Sequence, residues 1–353
     1  MKPIHPARVT TRATRGASAG PVLAFIAVVV FATAGCTQLQ DFATGVDITP
    51  PRFVGLEVLD EHTVEVLFDK PAEADHVGVS PSLGDLAITS TANRLVIVSE
   101  EATSIGAEYL LEGSVEDASG NSLRFLVRFY GHNPRLPRML INELNPRGSG
   151  NNPESVELFA VTAGNLGGVT LSNGSPADWD SRMILPAVEI EEGDYVLVHF
   201  RPQGIPEEVD ETTRRDESGG RNSRDTAWDF WVREGGGLPT NNGVITLSSR
   251  PGGPIMDAVL YTNRTSASDE RYLGFGSTRM LERVRTVVDA GQWEIDGEHP
   301  RPEDLVDVTL STATRSLNRS SDSRDTNSRH DWHVVPTRGL TFGAPNSDER
   351  HQP

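Results

Sequence analysis

Short runs of alternating apolar residues, each ended by a turn cluster, set the tightest limit on how this chain can fold. Thr63-Val64-Glu65-Val66-Leu67-Phe68 places apolar side chains at alternate positions over most of its length, and Asp69-Lys70-Pro71 then breaks the run. A period of two belongs to a strand with one buried face. Phe53 to Val58, Leu86 to Ser90, Arg94 to Val98, Glu108 to Gly113 and Leu123 to Phe129 complete a set spaced like the strands of a small β-sandwich. The Pro-punctuated run His132-Asn133-Pro134-Arg135-Leu136-Pro137 reads as a linker, 132–138. Beyond it the strand pattern resumes at Leu140 to Pro146, Glu154 to Phe159, Leu166 to Leu171, Val188 to His199, Gly243 to Leu247 and Ile255 to Tyr261. With 33 Gly and 23 Pro the chain is rich in turns. The expected class is all-β, with two tandem sandwiches.

The N-terminus reads differently. Lys2, Arg8, Arg12 and Arg15 form a basic stretch without acids. An apolar run from Val22 to Ala32 follows, then the small residues Thr33-Ala34-Gly35 and Cys36, the chain's one cysteine. Basic, apolar, small is the order of a secretory signal peptide, and the run is shorter than the roughly 20 residues that span a bilayer. This ending resembles a lipoprotein signal of the relaxed, spirochaete-like kind, with Thr33 where Leu is usual. The resemblance implies cleavage after Gly35 and lipidation of Cys36, palmitate included. Two acyl chains or more would hold the protein stably on a cell membrane or outer membrane, outside the cytoplasm. Residues 1–35 are then the signal peptide and 36–48 a lipidated tether. Removing 1–35 leaves 28 Lys and Arg against 50 acids, a net charge of −22. So acidic a surface excludes nucleic acid as a partner held by bulk electrostatics.

Residues 49–131 resemble the bacterial Ig-like domains of surface proteins. The likeness rests on Pro50-Pro51, on Glu65-Val66-Leu67-Phe68-Asp69-Lys70-Pro71 and on Val115-Glu116-Asp117-Ala118-Ser119-Gly120-Asn121. It implies that Phe68 enters the core and that Gly120 supplies a positive φ to its turn. Residues 139–346 resemble the lamin tail domain, an Ig-like sandwich. Ile141-Asn142-Glu143, Val156-Glu157-Leu158, Ile190 to Val198, Val244 to Leu247, Met256 to Tyr261 and the tail from Ser316-Leu317-Asn318-Arg319 to Asn346 carry this likeness in order. Two insertions interrupt it. Residues 201–229 mix Arg with acids and read as an exposed flexible loop. Residues 262–314 contain Arg279 to Val287 and Trp293 and read as a short helix packed on the sandwich. Residues 347–353 form a tail.

No metalloprotease, serine-hydrolase, P-loop or paired-cysteine metal motif occurs, so no enzyme is expected. The run Asp322-Ser323-Arg324-Asp325-Thr326-Asn327-Ser328 puts oxygens at alternating spacing, with Asp322, Asp325 and Asn327 as the candidate ligands. They read either as calcium ligands or as an Asx-rich turn capped by its own side chains. His330 and His333 would face opposite sides of a strand, which argues against a shared metal. Glu143 and Glu157 fall in neighbouring strands, either as a carboxyl pair for acid–base work or as edge or end residues paired with Arg or backbone N–H. Trp228, Phe230 and Trp231 are either a partner surface or core aromatics. The expected function is a non-catalytic envelope lipoprotein. Its Ig-like spacer would present a lamin tail-like module to an envelope protein or glycan. An accessory of an exported hydrolase system and a purely structural envelope protein are the alternatives.

Overall fold

The computed structural model describes residues 47–352 except Ala267. The signal segment, Cys36 and most of the tether lie outside the described residues. The described chain is predominantly β. In the first half run β1 (Phe53–Val58), β2 (Thr63–Phe68), β3 (Glu73–Ser80), β4 (Leu86–Thr91), β5 (Arg94–Ser99), β6 (Glu108–Glu116) and β7 (Ser122–Tyr130). Then come β8 (Met139–Asn145), β9 (Ser155–Ala160), β10 (Gly164–Asn165), β11 (Thr170–Gly174), β12 (Trp179–Ile184), β13 (Glu189–Ile190), β14 (Tyr195–His199) and β15 (Ala227–Trp231). The chain finishes with β16 (Asn242–Ser248), β17 (Ile255–Thr262), helix α1 (Thr278–Asp289), β18 (Val306–Asp307), β19 (Leu317–Arg319) and β20 (Trp332–Val334). No helix among the described residues is long and apolar enough to cross a membrane.

Strands β1-β2-β5-β4 and β3-β6-β7 form two sheets. Val64, Val66 and Phe68 of β2, Leu95 and Ile97 of β5, Leu111 and Val115 of β6 and Phe129 of β7 share one apolar core between them. The alternation that marked β2 is the buried face of this core. Phe68 is inside, and Gly120 has φ +83°. The two turn motifs also meet in space. Lys70 Nζ lies 2.7 Å from Asp117 and 2.7 Å from Asp47, and Asn121 donates to the Asp47 carbonyl at 2.8 Å. The chain is therefore pinned to this unit from Asp47 onward.

Strands β12-β11-β16-β17-β18 and β15-β14-β9-β8-β19-β20 make the second sheet pair, over a larger core that includes Ile141, Leu158, Val198, Ile245, Leu260 and Val284. The stretch expected as one strand over 188–199 is broken by a turn at 191–194, where the Glu191 N–H donates to Asp194. Strands β3, β10, β12, β15 and β18 are not among those expected from alternation. The helix expected in the second insertion is α1, which buries Met280, Leu281, Val284 and Val287.

Residues 132–138 are stitched down rather than loose. Asn133 Nδ2 donates to the carbonyls of Asn165 and Gly167 at 2.8 and 2.9 Å. Beside them Gly106 (φ +67°) touches the second unit so closely that a Cβ would fall 2.3 Å from the Gly168 nitrogen. Only glycine allows both that φ and that approach.

Candidate functional site

The outer face of β8 and β9 holds the first cluster of ionisable groups. A one-residue bulge at Asn142 shifts the register so that Glu143 stands directly opposite Glu157. β8 and β9 are central strands, so the expectation of edge residues is corrected. The expectation of backbone N–H partners holds. The Thr341 N–H and hydroxyl donate to Glu143, and the Gly343 N–H donates to Glu157 at 2.6 Å. Asn346 Nδ2 donates to the Asn142 carbonyl at 2.9 Å. The C-terminal tail thus roofs the carboxyl pair. Burial pushes the Glu143 carboxyl up to about 7. Burial first, and then the charge of Glu143, hold Glu157 well above the ordinary carboxylate range.

A second cluster was not visible in the sequence. Ser155, His199 and Asp229 lie on β9, β14 and β15. Asp229 Oδ1 is 2.5 Å from His199 Nε2, and Ser155 Oγ is 3.4 Å from His199 Nδ1. Hydroxyl, imidazole and carboxylate follow the order of nucleophile, base and acid. All three are fully buried, however, and the imidazole stacks on Trp231 at 4.0 Å. The Ser155 hydroxyl also donates to the Pro153 carbonyl, and the Asp229 carboxylate accepts from the Arg224 N–H. The three groups join neighbouring strands and present nothing to a substrate. His199 ends an alternating run and Asp229 sits between aromatics. Neither signal separates a buried polar pair from a surface one.

The third cluster centres on Arg319, which is 1% exposed. Its guanidinium donates to Asp257 at 2.8 and 3.0 Å, to Asp325 at 3.1 Å and to the Ile141 carbonyl at 2.7 Å. Burial pushes Asp257 up to about 6, against the pull of Arg319.

The residues expected to hold calcium have other partners. Asp325 is spent on Arg319 and on the Asn327 N–H, and Asp322 accepts from Ser320 and the Arg324 N–H. Asn327 Nδ2 donates to the Gly291 carbonyl, while its Oδ1 is buried without a partner. The turn capped by its own side chains describes this geometry. Among the described residues no three His, Cys, Asp or Glu side chains gather as a metal site.

The aromatic group is corrected as a surface. Phe230 and Trp231 are buried, and Trp231 Nε1 donates to the Ser218 hydroxyl at 3.0 Å. Trp228 is half-buried, with Arg215 over its ring. The expected exposed loop at 201–229 is corrected as well. It runs into the start of β15, and Glu208 and Glu211 turn inward to accept backbone N–H groups.

His330 and His333 were expected on opposite faces of a strand. The chain instead makes a 3-10 turn at Arg329–Asp331 before β20 begins, and both imidazoles line one groove beside Trp332.

An uncharacterized protein of Treponema pallidum (strain Nichols) is 31% identical to this chain over 163 residues. That stretch is 45% of this chain and 40% of the relative, so the chain spans well under half of the relative's length. The family described as the TP_1001 protein second domain matches residues 137–334, which begin in the linker, cover both sheets of the second unit and end with β20. Because that match spans more than half of the 353 residues, the chain belongs to this family.

Proposed function

We propose that the protein is a non-catalytic cell-envelope lipoprotein, anchored through Cys36, whose Ig-like first unit holds out a lamin tail-like second unit as an interaction module. The observation that carries this reading is the pinning of Asp47 by Lys70 and Asn121. It lies eleven residues after Cys36, and that length of extended chain reaches at most about 40 Å. A lipid on Cys36 would therefore keep the first unit close to the bilayer surface. The Gly106–Gly168 contact and the Asn133 hydrogen bonds would in turn hold the second unit against the first.

The remaining support is chemical. The groups that resemble catalytic sets, Glu143 with Glu157 and Ser155 with His199 and Asp229, are spent on holding strands and tail together. Motifs that suggested the lamin tail likeness fall on β8, β9, β14, β16, β17 and β19. Their polar members, Asn142, Glu143, Glu157, Asn318 and Asn346, lie in one hydrogen-bonded set.

Detergent phase partition and mass spectrometry of the N-terminal peptide test the reading. The wild type should enter the detergent phase with acyl chains on Cys36, and Cys36→Ser should remain aqueous. An uncut, unlipidated N-terminus would overturn it.

A further inference from the structure

Against a net charge of −18, a place where several arginines gather stands out. The edge where both sheets of the second unit end is one. β18 closes the five-stranded sheet and β20 the six-stranded sheet. A groove of about 390 Å³ lies between them. Its cations come from three separate pieces of chain: Arg264 after β17, Arg329 in the turn before β20, where His330 and His333 also line the groove, and Arg350 in the tail. Asp307 is the one acid in the lining. It lies 3.5 Å from Arg264 Nε, which is buried and makes no hydrogen bond. Among the described residues Arg329 and Arg350 have no carboxylate within ion-pair distance, whereas Arg319, Arg279 and Arg283 each have two or more.

A second observation is independent of charge. Trp332 lines the groove, is 5% exposed, and its indole Nε1 is buried without an acceptor. A buried N–H left unpaired is costly, and such groups are rare unless a water, ion or ligand completes them. The Arg319 guanidinium lies over the ring, 4.7 Å from its centroid. Arg264 itself has φ +60°, a conformation uncommon outside glycine, so its place beside Asp307 is set by the fold.

We propose that this groove binds a phosphate oxyanion. Guanidinium groups pair with phosphate through charge-assisted hydrogen bonds, often two at a time. The groove is lined by donors from separate pieces of chain: Arg264 after β17, Arg329 and His330 at the 3-10 turn, Arg350 in the tail, and Trp332, whose Nε1 is buried. A tetrahedral ion with oxygens on every side can answer such a set, while a planar carboxylate offers two oxygens in one plane. The phosphate can be free or can be the headgroup of an anionic phospholipid. The proposal concerns the groove alone and holds whether or not Cys36 carries lipid.

The test uses the full-length Cys36→Ser chain, so that no lipid of its own confuses the result. Calorimetric titration with inorganic phosphate and flotation with phosphatidylglycerol vesicles, against phosphatidylcholine vesicles, are read side by side. Binding of inorganic phosphate identifies a free-phosphate site. Binding confined to the phosphatidylglycerol vesicles identifies a headgroup site. Either supports the proposal, and binding in neither arm overturns it. Arg350→Gln, in the tail and away from both cores, should weaken binding about tenfold, the worth of one charge-assisted hydrogen bond. Trp332→Phe, which keeps the ring and removes the N–H, should weaken it several-fold. Arg94→Gln on the first unit is the charge-matched control, and an equal loss there would reduce the effect to general charge and overturn the proposal. Should Trp332→Phe lower the melting temperature, Arg329→Gln and Arg350→Gln decide the matter.

Discussion

Residues 200–226 and 263–305 each carry the chain from the end of one strand to the start of a parallel neighbour, β14 to β15 and β17 to β18. Parallel strands cannot be joined by a tight turn, and a crossover usually uses a helix. The second segment does. Ser277 caps α1 by accepting the Met280 N–H at 3.2 Å, the apolar positions Met280, Val284 and Val287 form a stripe toward the core, and Gly291 at φ +70° follows its end. The first segment has no helix. Its backbone N–H groups are satisfied by carboxylates instead. Glu208 accepts from Gln203 and Gly204, and Glu211 accepts from Glu217, Ser218 and Asp229. Asp210 accepts from Trp231 at 2.7 Å. Asp229 and Trp231 are alternate residues of the edge strand β15, so these two acids cover the N–H groups that an open edge would leave free. A polar segment can therefore be as firmly placed as an amphipathic one when its charges point inward.

The largest effect that would sharpen this comparison is loss of the apolar anchor of the helical crossover. Trp293 is buried, and its Nε1 donates to the Asp304 carbonyl at 2.9 Å. Trp293→Ala should cost about 3–5 kcal/mol, read from urea unfolding. A loss under about 1 kcal/mol would mean that the helix does not depend on core packing, and the contrast would fail.

The carboxylate crossover should be nearly as sensitive at one residue. Glu211→Ala strands three backbone donors, and a cost of about 2–3 kcal/mol is expected once the loop relaxes. Glu211→Gln keeps one acceptor oxygen and should cost less. Hydrogen exchange at the Ser218 and Asp229 amides should accelerate in both variants. Unchanged exchange would show that the side chain does not hold this loop.

Acidity separates the two crossovers by sign. Burial holds the Glu211 carboxyl above its ordinary 4.5, so the folded protein binds this proton more readily than the unfolded chain. That contribution is fully present below about pH 4.5 and is lost as pH rises through the raised value. Asp178 is held down to about 2, chiefly by its hydrogen bonds with Arg279. Its contribution stands above its ordinary 3.8 and is lost as pH falls toward 2. Urea midpoints measured from pH 2 to 8 should lose the first slope in Glu211→Gln and the second in Asp178→Asn. The same slopes surviving in the variants would assign them to other groups.

The difference between the crossovers also explains what could be read in advance. α1 was legible because Met280, Val284 and Val287 repeat at a helical period, and β2 because Val64, Val66 and Phe68 repeat at two. The 201–229 segment has the composition of a loose loop, and composition counts charges without saying which way they face. Glu208 and Glu211 look the same in sequence as the exposed Glu207 beside them. The Asn142 bulge, which sets Glu143 against Glu157, is likewise a register effect that no local pattern announces. His330 and His333 were assigned opposite faces on the premise of a continuous strand, and a 3-10 turn removes that premise. The candidate sites therefore lay in turns, bulges and registers, where long-range contacts decide, while the strands followed from local alternation.

The smallest effect concerns the charges that fasten α1 to its neighbour. Arg279 and Arg283 are one helical turn apart and share a face, while Asp178 and Asp180 flank Trp179 and share a side of their strand. The two periods bring all four together. Asp178 accepts from Nε of Arg279 at 2.9 Å and from Nε of Arg283 at 3.0 Å, and Asp180 accepts from both guanidinium groups at 2.6 and 2.7 Å. Arg283 is buried, but both acids are well exposed, so water screens much of the attraction. Asp178→Asn should therefore cost about 1 kcal/mol or less, well below Trp293→Ala. A cost comparable to that of Trp293→Ala would mean that the helical crossover, like its helix-free counterpart, is held mainly by charge.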